Sequence, residues 1–186
     1  MTVTPTALDG VLLIEPRLFP DQRGHLIVTW KAAEYAEHGL SGPWTQDNVS
    51  QSRQGVIRAL HLQLAPHAQG KLVSALSGTI YDVAVDVRPD SPTYGQHVGF
   101  ELSGENGKQL WISPGFAHGF SVLSEQAIVS YKCSGGAFMP ESARSIRWND
   151  PALGIDWRVD DPILNERDAE APLLADVAFE FADSVR

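Results

Sequence analysis

The sequence contains a single cysteine, Cys133, among its 186 residues. An intramolecular disulfide needs two cysteines, so the composition gives no sign of an oxidising compartment. Apolar runs are also short, and none approaches the roughly 18 to 20 residues that a membrane span requires. The opening segment, MTVTPTALDG, has neither the basic nor the apolar part of a signal peptide. We therefore expect a cytoplasmic protein with no membrane partner.

Positive charge is scarce as well. The chain has 14 Lys and Arg against 23 Asp and Glu, which gives a net charge of −9 and a pI near 5.0. This balance opposes nucleic-acid binding, because affinity for the phosphate backbone depends mainly on Lys and Arg contacts. An anionic small molecule needs only a local cluster of cations in a cleft. Residues 58–71, RALHLQLAPHAQGK, supply such a cluster with Arg58, His61, His67 and Lys71.

Short strand-like runs, separated by Gly- and Pro-containing turn signals, make up most of the chain. Many short strands at spacings of about ten residues predict a mostly β fold, an antiparallel sandwich or barrel. At 186 residues the chain fits a single domain, 1–186. The predicted strands are 11–19, 25–30, 55–64, 71–78, 79–87, 97–103, 108–113, 119–124 and 127–133.

Only two segments have a helical pattern. Residues 31–39 combine helix-forming residues with a terminal glycine, and residues 165–172 begin with an asparagine that can cap a helix. The tail from about residue 173 is predicted to be a loose or partner-docking arm.

Residues 79–87, TIYDVAVDV, show the period of two that is typical of a strand. Tyr81, Val83 and Val85 belong to one apolar row, whereas the other row carries Asp82 and Asp86. This pattern predicts a strand with one buried face.

Five polar residues are candidates for chemistry, although each also has an ordinary structural explanation. His61 could be a hydrogen-bonded sheet histidine, and His118 could cap a turn where a loop enters a strand. Lys71 could be a solvated surface residue and Tyr131 a core residue. Asp168 could complement the dipole of a short helix.

A metal site is the first chemistry to consider for two histidines on separate strands of a β-barrel. In the jelly-roll proteins called cupins, a His-x-His pair, a glutamate and a later histidine often bind a metal. Here Gln63 stands two positions after His61, and no glutamate follows at a usable spacing. Because a third ligand is missing, we expect no metal site.

The ordered set of motifs resembles the dTDP-4-dehydrorhamnose 3,5-epimerase family over nearly the whole chain. The motifs are the run from IRALHLQL through QGK to YDVAVDV, then SPGFAHGF, YKCS, RSIRWNDPALGIDW and ILNERDAEAP. The resemblance implies a homodimeric cupin jelly roll that works without a metal, and we expect no cofactor. It also implies a substrate that is a nucleoside-diphosphate 4-keto-6-deoxy sugar, epimerised at C3 and C5.

The same resemblance implies roles for individual residues. His61 would be the base, paired with the carboxylate of Asp168. Tyr131 would donate a proton, and Lys71 would lie near the keto oxygen. Further residues are implied to contact the substrate: Arg58 at the diphosphate, together with Arg23, Gln46 and Asn48. His118 is a further candidate for substrate binding.

The physical logic agrees with these roles. A C–H bond beside a ketone becomes labile once the negative charge that develops on the carbonyl oxygen is stabilised. His61 can remove the proton, and Lys71 can stabilise the oxygen. A buried aspartate would fix the tautomer of the histidine and stabilise the imidazolium that it becomes. Inversion then needs a proton delivered to the opposite face, for which the phenol of Tyr131 is suitable.

The sequence departs from the family pattern in three places. The segment after DQRG is GHLIV rather than the aromatic GFFFE, which puts His25 and Val28 at positions that help to bind the nucleotide. After YK, the segment CSGGAFMP has Phe138 as its only aromatic residue, and RALH replaces the more usual RGLH at Ala59. The set of reacting residues is complete, so the chemistry is expected to be retained, whereas the departures leave the specificity open.

Three alternatives remain open. The protein could epimerise only C3 or only C5 of another nucleotide-linked 4-keto sugar. It could be a 3,4-ketoisomerase on the same scaffold, since moving a ketone along a ring needs a similar base. It could also be a non-catalytic cupin that binds sugar nucleotides. In each case strands within 11–30 could pair with a second copy and cover an exposed sheet edge.

Overall fold

Strands account for most of the regular structure in the computed structural model, which describes residues 1–177 and 179. The first seven strands are β1 (Thr2–Pro5), β2 (Val11–Glu15), β3 (Leu18–Asp21), β4 (Gly24–Ile27), β5 (Trp44–Arg53), β6 (Ile57–Gln63) and β7 (Gln69–Ser77). They are followed by β8 (Thr79–Asp86), β9 (His97–Ser103), β10 (Gln109–Ile112), β11 (Phe116–Val122), β12 (Gln126–Gly135) and β13 (Ala143–Ser145). The α-helices are α1 (Ala32–Ala36) and α2 (Glu166–Ala169), and short 3₁₀ helices span Pro140–Ser142 and Leu174–Asp176.

Two antiparallel sheets form the body of the fold. The larger has the order β1-β2-β10-β7-β12-β5, and the smaller has the order β13-β6-β11-β8-β9. From β5 to β8 and again from β9 to β13, consecutive strands alternate between the sheets, so β6 and β7 lie in different sheets, as do β11 and β12. These paired sheets confirm the predicted mostly β, antiparallel jelly-roll sandwich with a few short helices.

The apolar core has three parts. The first lies between the sheets, because its members, such as Val73, Ile80, Phe120 and Val129, come from both. The second covers the outer face of the smaller sheet with residues that follow β13, including Trp157. The third packs the α1 segment and aromatic residues on the outer face of the larger sheet. The inner faces lie between the two sheets, where packed side chains exclude bulk water except at a cavity. Polar side chains on these faces must therefore line a cavity or pair with one another.

The strand β8 corrects one prediction. Its odd row, with Tyr81, Val83 and Val85, packs in the outer part of the core as expected for an apolar row. The even row is buried too, and both Asp82 and Asp86 have 0% exposure. The prediction of one buried face is wrong because β8 is a central strand with the other sheet on one side and the C-terminal segment on the other.

The strand β5 was missed altogether. Its sequence, WTQDNVSQSR, has no apolar row from which a half-buried strand could be inferred. It is nonetheless a long edge strand that pairs with β12 from Gln126↔Arg53 to Ser134↔Trp44. Pairing with a neighbour in the sheet, rather than a local pattern, determines its conformation. The shorter strands β1 and β13 were also missed.

Other predicted elements are confirmed with shifted ends. The helix predicted at 31–39 is α1, and Asn165 caps α2 by accepting a hydrogen bond from the Asp168 backbone N–H at 2.7 Å. The run at 11–19 divides into β2 and β3 around Pro16, which has no N–H to donate. His118 lies within β11 rather than in a loop, which corrects the interpretation of its flanking glycines as turns.

The predicted C-terminal arm is not loose where it begins. Leu174 is 6% exposed and packs in the outer part of the core against the smaller sheet, and its N–H donates to Asp150 Oδ2 at 2.6 Å. The remainder of the predicted arm, residues 178 and 180–186, lies outside the described residues.

Candidate active site

An irregularity in β6 brings two polar residues to the same side of the smaller sheet. Phe120 of β11 pairs with Arg58, and His118 pairs with His61, so two residues of β6 stand opposite the single Gly119. Strict alternation would put residues 58 and 61 on opposite faces, and the bulge restores them to one face. Gly119 leaves room for the bulge, since a Cβ there would lie 2.5 Å from the Cβ of Ala59.

His61 and Asp168 form a hydrogen-bonded pair at the inner face. His61 Nε2 lies 2.7 Å from Asp168 Oδ1, with the imidazole 35% exposed and the carboxylate 1% exposed. The second carboxylate oxygen, Oδ2, accepts a hydrogen bond of 3.3 Å from the Ala59 N–H. Because the carboxylate accepts at Nε2, the proton is on that nitrogen in the neutral ring, and Nδ1 is the free base.

Lys71 approaches from the facing sheet. It lies on the inner row of β7 with Val73 and Ala75, and its Nζ donates to the backbone oxygen of His61 at 3.2 Å. Protein surrounds the ammonium group although part of the side chain is exposed to the cavity. This burial lowers the pKa of Lys71 below its usual value.

Tyr131 completes the set from β12. It packs against the part of the core between the sheets, and burial raises the pKa of its phenol, which Arg58 partly counteracts. A raised pKa keeps the phenol protonated at neutral pH, as a proton donor requires. Asn48 on β5 stands directly opposite Tyr131 in the sheet, and Gln46 stands opposite Cys133.

Two adjoining cavities open beside these residues. The larger, of about 380 Å³, and the smaller, of about 140 Å³, share the lining residues His61, Lys71, Tyr131, Asn165 and Asp168. The larger cavity is also lined by Gln46 and Asn48, and the smaller by Arg58 and His118. Eight of the nine residues predicted from the sequence therefore line one or both cavities.

The ninth predicted residue, Arg23, does not line either cavity. It follows β3 in the turn of the β3–β4 hairpin, is 84% exposed, and pairs with Asp21 at 2.5 Å. Its side chain is absent from the walls of both cavities. His25 and Val28, the departures after DQRG, belong to the same exposed segment. His67 also lies outside both cavities and bonds Ser142 Oγ at 2.9 Å, so Arg58, His61 and Lys71 are the members of the cationic cluster that line them.

His118 belongs to a second buried pair. Its Nε2 lies 2.8 Å from Asp82 Oδ1, with the two side chains 6% and 0% exposed. Burial lowers the pKa of His118, while the charge of Asp82 opposes that shift. The ring therefore stays neutral at pH 7.

Several lining residues were missed by sequence reasoning. Ser50 could have been found by continuing the inner row of β5 from Gln46 and Asn48, and Asn165 and Arg167 stand within the NERD motif itself. Of the eight remaining members, four stand two positions from a predicted site residue on the same strand, so strand alternation could have found them too. The other four carried no such signal. The eight are Leu62, Gln63, Gln69, Cys133, Phe138, Ala143 and Arg144 in the larger cavity and Phe120 in the smaller.

The described residues lack the features of two other kinds of site. Within residues 1–177 and 179, no group of three or more His, Cys, Asp or Glu side chains is arranged to bind a metal ion. No helix in the same part of the chain has the length and apolar character needed to cross a membrane.

Comparison with known proteins agrees with the geometry of the site. The family model for dTDP-4-dehydrorhamnose 3,5-epimerase matches residues 5–176. The protein of that name from Pseudomonas aeruginosa is 48% identical over 180 residues, which cover 95% of this chain and 97% of the relative. The dTDP-4-dehydrorhamnose 3-epimerase of Streptomyces niveus is 35% identical over 177 residues, which cover 95% of this chain and 85% of the relative.

A solved structure extends the likeness to the fold. The dTDP-6-deoxy-D-glucose-3,5-epimerase of Legionella pneumophila, in complex with dTDP-4-keto-L-rhamnose, superposes with a TM-score of 0.91 at 46% identity. The match covers 95% of this chain and 94% of that one. With the family model matching most of its length, the chain belongs to the dTDP-4-dehydrorhamnose 3,5-epimerase family.

Proposed function

We propose that this protein epimerises C3 and C5 of dTDP-4-dehydro-6-deoxy-D-glucose to give dTDP-4-dehydro-L-rhamnose. The observation that carries the proposal is the His61–Asp168 pair, which opens into a cavity shared with Lys71 and Tyr131. The relatives named as 3,5-epimerases, and the related structure with dTDP-4-keto-L-rhamnose bound, support the choice of substrate.

The first chemical step is proton removal beside the ketone. Nδ1 of His61 takes the proton from the ring carbon, the C–H electrons form a C=C bond, and the carbonyl π electrons move to the oxygen. Lys71 stabilises the resulting enolate by its charge, and Asp168 stabilises the imidazolium. Burial lowers the pKa of Lys71, so the step requires a pH below that value.

The second step restores the carbon with inverted configuration. The phenol of Tyr131 gives its proton to the face opposite His61, the C=C electrons form the new C–H bond, and the ketone re-forms. The proton on His61 then returns to Tyr131 through solvent, so the composition of the sugar is unchanged. Repeating the cycle at the second carbon on the other side of the ketone inverts both centres.

The nucleoside diphosphate fits the larger cavity. Arg144 and Arg167 lie in its wall together with the amides of Gln46 and Asn48, and these groups suit an anionic and hydrogen-bonding ligand. Arg58 lines the smaller cavity and, by the same reasoning, carries positive charge toward the diphosphate from the side of His61. His118 contributes to substrate binding from the smaller cavity.

Epimerisation at C3 alone is the second candidate. It is favoured by the relative named 3-epimerase, which is 35% identical to this chain, whereas the 3,5-epimerase of Pseudomonas aeruginosa is 48% identical. The higher identity favours inversion at both centres.

An exchange experiment in heavy water tests the proposal. The protein is incubated with dTDP-, UDP- and GDP-linked 4-keto-6-deoxy sugars, and NMR locates the deuterium and the configuration of each carbon. We expect deuterium and inversion at C3 and C5 of the dTDP sugar, and loss of both in His61→Ala. Deuterium at C3 alone would support the second candidate, a displaced ketone would indicate a ketoisomerase, and no incorporation into any sugar would overturn the enzymatic proposal.

We further infer that the active form is a homodimer. The hairpin β3–β4 exposes Leu18, Phe19 and Leu26, and Val28 directly after it is exposed as well. A two-stranded hairpin with so much exposed apolar surface is only marginally stable in water. A second copy of the chain would cover this surface. Because Arg23 stands in the turn of the same hairpin, it would contact substrate in the partner's cavity rather than in its own.

We also place residues 1–186 in one catalytic domain and its activity in the cytoplasm. The free thiol of the buried Cys133 at the wall of the larger cavity is compatible with a reducing compartment.

A further inference from the structure

The buried pair of Asp82 and His118 has no part in the chemistry described above. Asp82 lies on the inner row of β8, is 0% exposed, and uses only Oδ1 to bond His118. Its Oδ2 is buried with no hydrogen-bond partner among the described residues. An unpaired carboxylate oxygen in the interior is costly, so a compensating positive charge or a function must retain it.

Lys71 supplies that positive charge from the facing sheet. Asp82 and Lys71 both lie on inner rows, and His118, which bonds Asp82, lines the smaller cavity together with Lys71. Burial lowers the pKa of Lys71, while negative charge at Cys133 and Asp82 raises it. Burial also raises the pKa of the Cys133 thiol, so this thiol is neutral at pH 7 and Asp82 provides the negative charge.

We propose that Asp82 is a positioning residue for the reaction, which holds a positive charge on Lys71 and fixes the orientation and tautomer of His118 beside the smaller cavity. The inference deepens the proposed function and rests on it, because Lys71 stabilises the enolate only while it is charged. A neutral amine could still donate a hydrogen bond but would lose most of its electrostatic effect on the enolate oxygen.

The tautomer of His118 follows from the same contact. With Asp82 accepting at Nε2, that nitrogen carries the proton and Nδ1 remains an acceptor. Positive charge on Lys71 lowers the pKa of His118, in addition to its burial. Asp82 therefore faces one charged neighbour, Lys71, and one neutral neighbour, His118.

Other groups around Lys71 bear on its titration and must be tracked with it. His61 approaches from β6, His118 from β11, and Tyr131 and Cys133 from β12. Burial raises the pKa values of Tyr131 and Cys133, so both stay neutral up to alkaline pH. Asp168 of α2 also lines the smaller cavity, but it is bonded to His61, which leaves Asp82 on β8 as the carboxylate that raises the pKa of Lys71.

The variant Asp82→Asn tests the proposal, because it removes the charge while keeping the size of the side chain. The first measurement needs no substrate: the chain has only four lysines, at 31, 71, 108 and 132, so the Cε and Nζ resonances of Lys71 can be followed by NMR against pH. The resonance is assigned by its loss in Lys71→Arg. We expect the Lys71 titration to move at least about one pH unit lower in Asp82→Asn.

The second measurement is the pH profile of kcat with the dTDP sugar. In Asp82→Asn the alkaline limb of this profile should move to lower pH by the same amount. At pH values above the limb, kcat should then be about tenfold lower than in wild type, with KM nearly unchanged. The exposed Asp90→Asn serves as the matched control and should alter neither the titration nor the profile. Asp82→Glu keeps the negative charge, so its Lys71 titration and its alkaline limb should lie close to those of wild type.

A purely structural role for Asp82 would lower the melting temperature without moving either the titration or the limb, and that outcome overturns the proposal. If Asp82→Asn does not fold, the wild-type titration still decides, since a Lys71 that is neutral at the pH of maximal kcat also overturns it. Failure of the proposed function is distinct. It would appear as wild-type protein without epimerase activity, whatever the titration of Lys71 shows.

Discussion

The choice of nitrogen on a single ring determines how His61 can act. Asp168 bonds Nε2, which leaves Nδ1 as the basic atom. The 3.3 Å contact from the Ala59 N–H to the other carboxylate oxygen helps to fix the orientation of Asp168. The side chain of Ala59, the residue that departs from RGLH, is fully buried in the outer part of the core.

We expect Asp168→Asn to lower kcat by about 10²- to 10⁴-fold with little change in KM. An amide can donate its N–H to Nε2, which forces the proton onto Nδ1 and blocks the base. The rate of deuterium incorporation into the sugar ring measures the effect, with Asp90→Asn as the control. Full exchange in Asp168→Asn would remove the carboxylate from the mechanism.

Tyr131→Phe should separate proton removal from inversion. His61 can still form the enolate, so we expect deuterium exchange to survive in part while net inversion falls. NMR of the recovered sugar reports both quantities in one sample. If exchange and inversion fall equally, Tyr131 does more than donate the second proton.

Among the elements, the turn after β8 depends on one buried carboxylate. Asp86 accepts hydrogen bonds from Arg88 Nη2 at 2.7 Å, Ser91 Oγ at 2.5 Å and Thr93 Oγ1 at 2.6 Å. Burial alone would raise the pKa of Asp86, but these hydrogen bonds outweigh it and lower the pKa to about 2. Arg88 also stacks over Phe116 at 4.4 Å, which ties the turn to β11.

This arrangement predicts a loss of stability in acid. A carboxylate with a depressed pKa in the folded state stabilises the fold above the unfolded value near 3.8, and that contribution is lost as pH falls toward about 2. The shift corresponds to about 2 kcal/mol in the free energy of unfolding. We expect Asp86→Asn to lose about this amount at pH 7, measured by urea denaturation.

The control for Asp86→Asn is again Asp90→Asn, which should match wild type at every pH. In Asp86→Asn the dependence of stability on pH between about 4 and 2 should be weaker than in wild type. An unchanged dependence would show that other carboxylates account for acid unfolding.

In the molecule as a whole, the exposed hairpin β3–β4 determines the expected assembly. We expect wild-type protein to have twice the 20.3 kDa chain mass in solution, and Phe19→Glu with Leu26→Glu to have the mass of one chain. Each large apolar side chain contributes about 1.5 to 3 kcal/mol when it is buried, and a charge there opposes burial. Light scattering gives the mass, and Tyr94→Glu, similarly exposed at 41%, is the control.

Mixed dimers test the placement of Arg23. If this residue acts in the partner's cavity, random mixing of Arg23→Ala and His61→Ala chains should restore about a quarter of wild-type activity, because half of the dimers regain one intact site. If Arg23 acts in its own chain, or in no site, mixing restores nothing beyond the activity of the separate variants.

Local pattern was sufficient for much of this protein. Alternating apolar residues located most strands, a capping asparagine located α2, and the motifs around His61, Lys71, Tyr131 and Asp168 identified the family. Each of these signals lies within a few residues, where side-chain alternation and capping are set by the chain itself.

Only the tertiary structure decided how the pieces meet. The bulge opposite Gly119 brings Arg58 and His61 to one face, and pairing with β12 makes a strand of the polar β5. The packing of the two sheets puts Asp82 on the inner row of β8, on the side that faces the sheet of Lys71. Arg23, in contrast, is carried away on the hairpin. These outcomes depend on register and burial between segments far apart in sequence, and a local pattern contains no information about either.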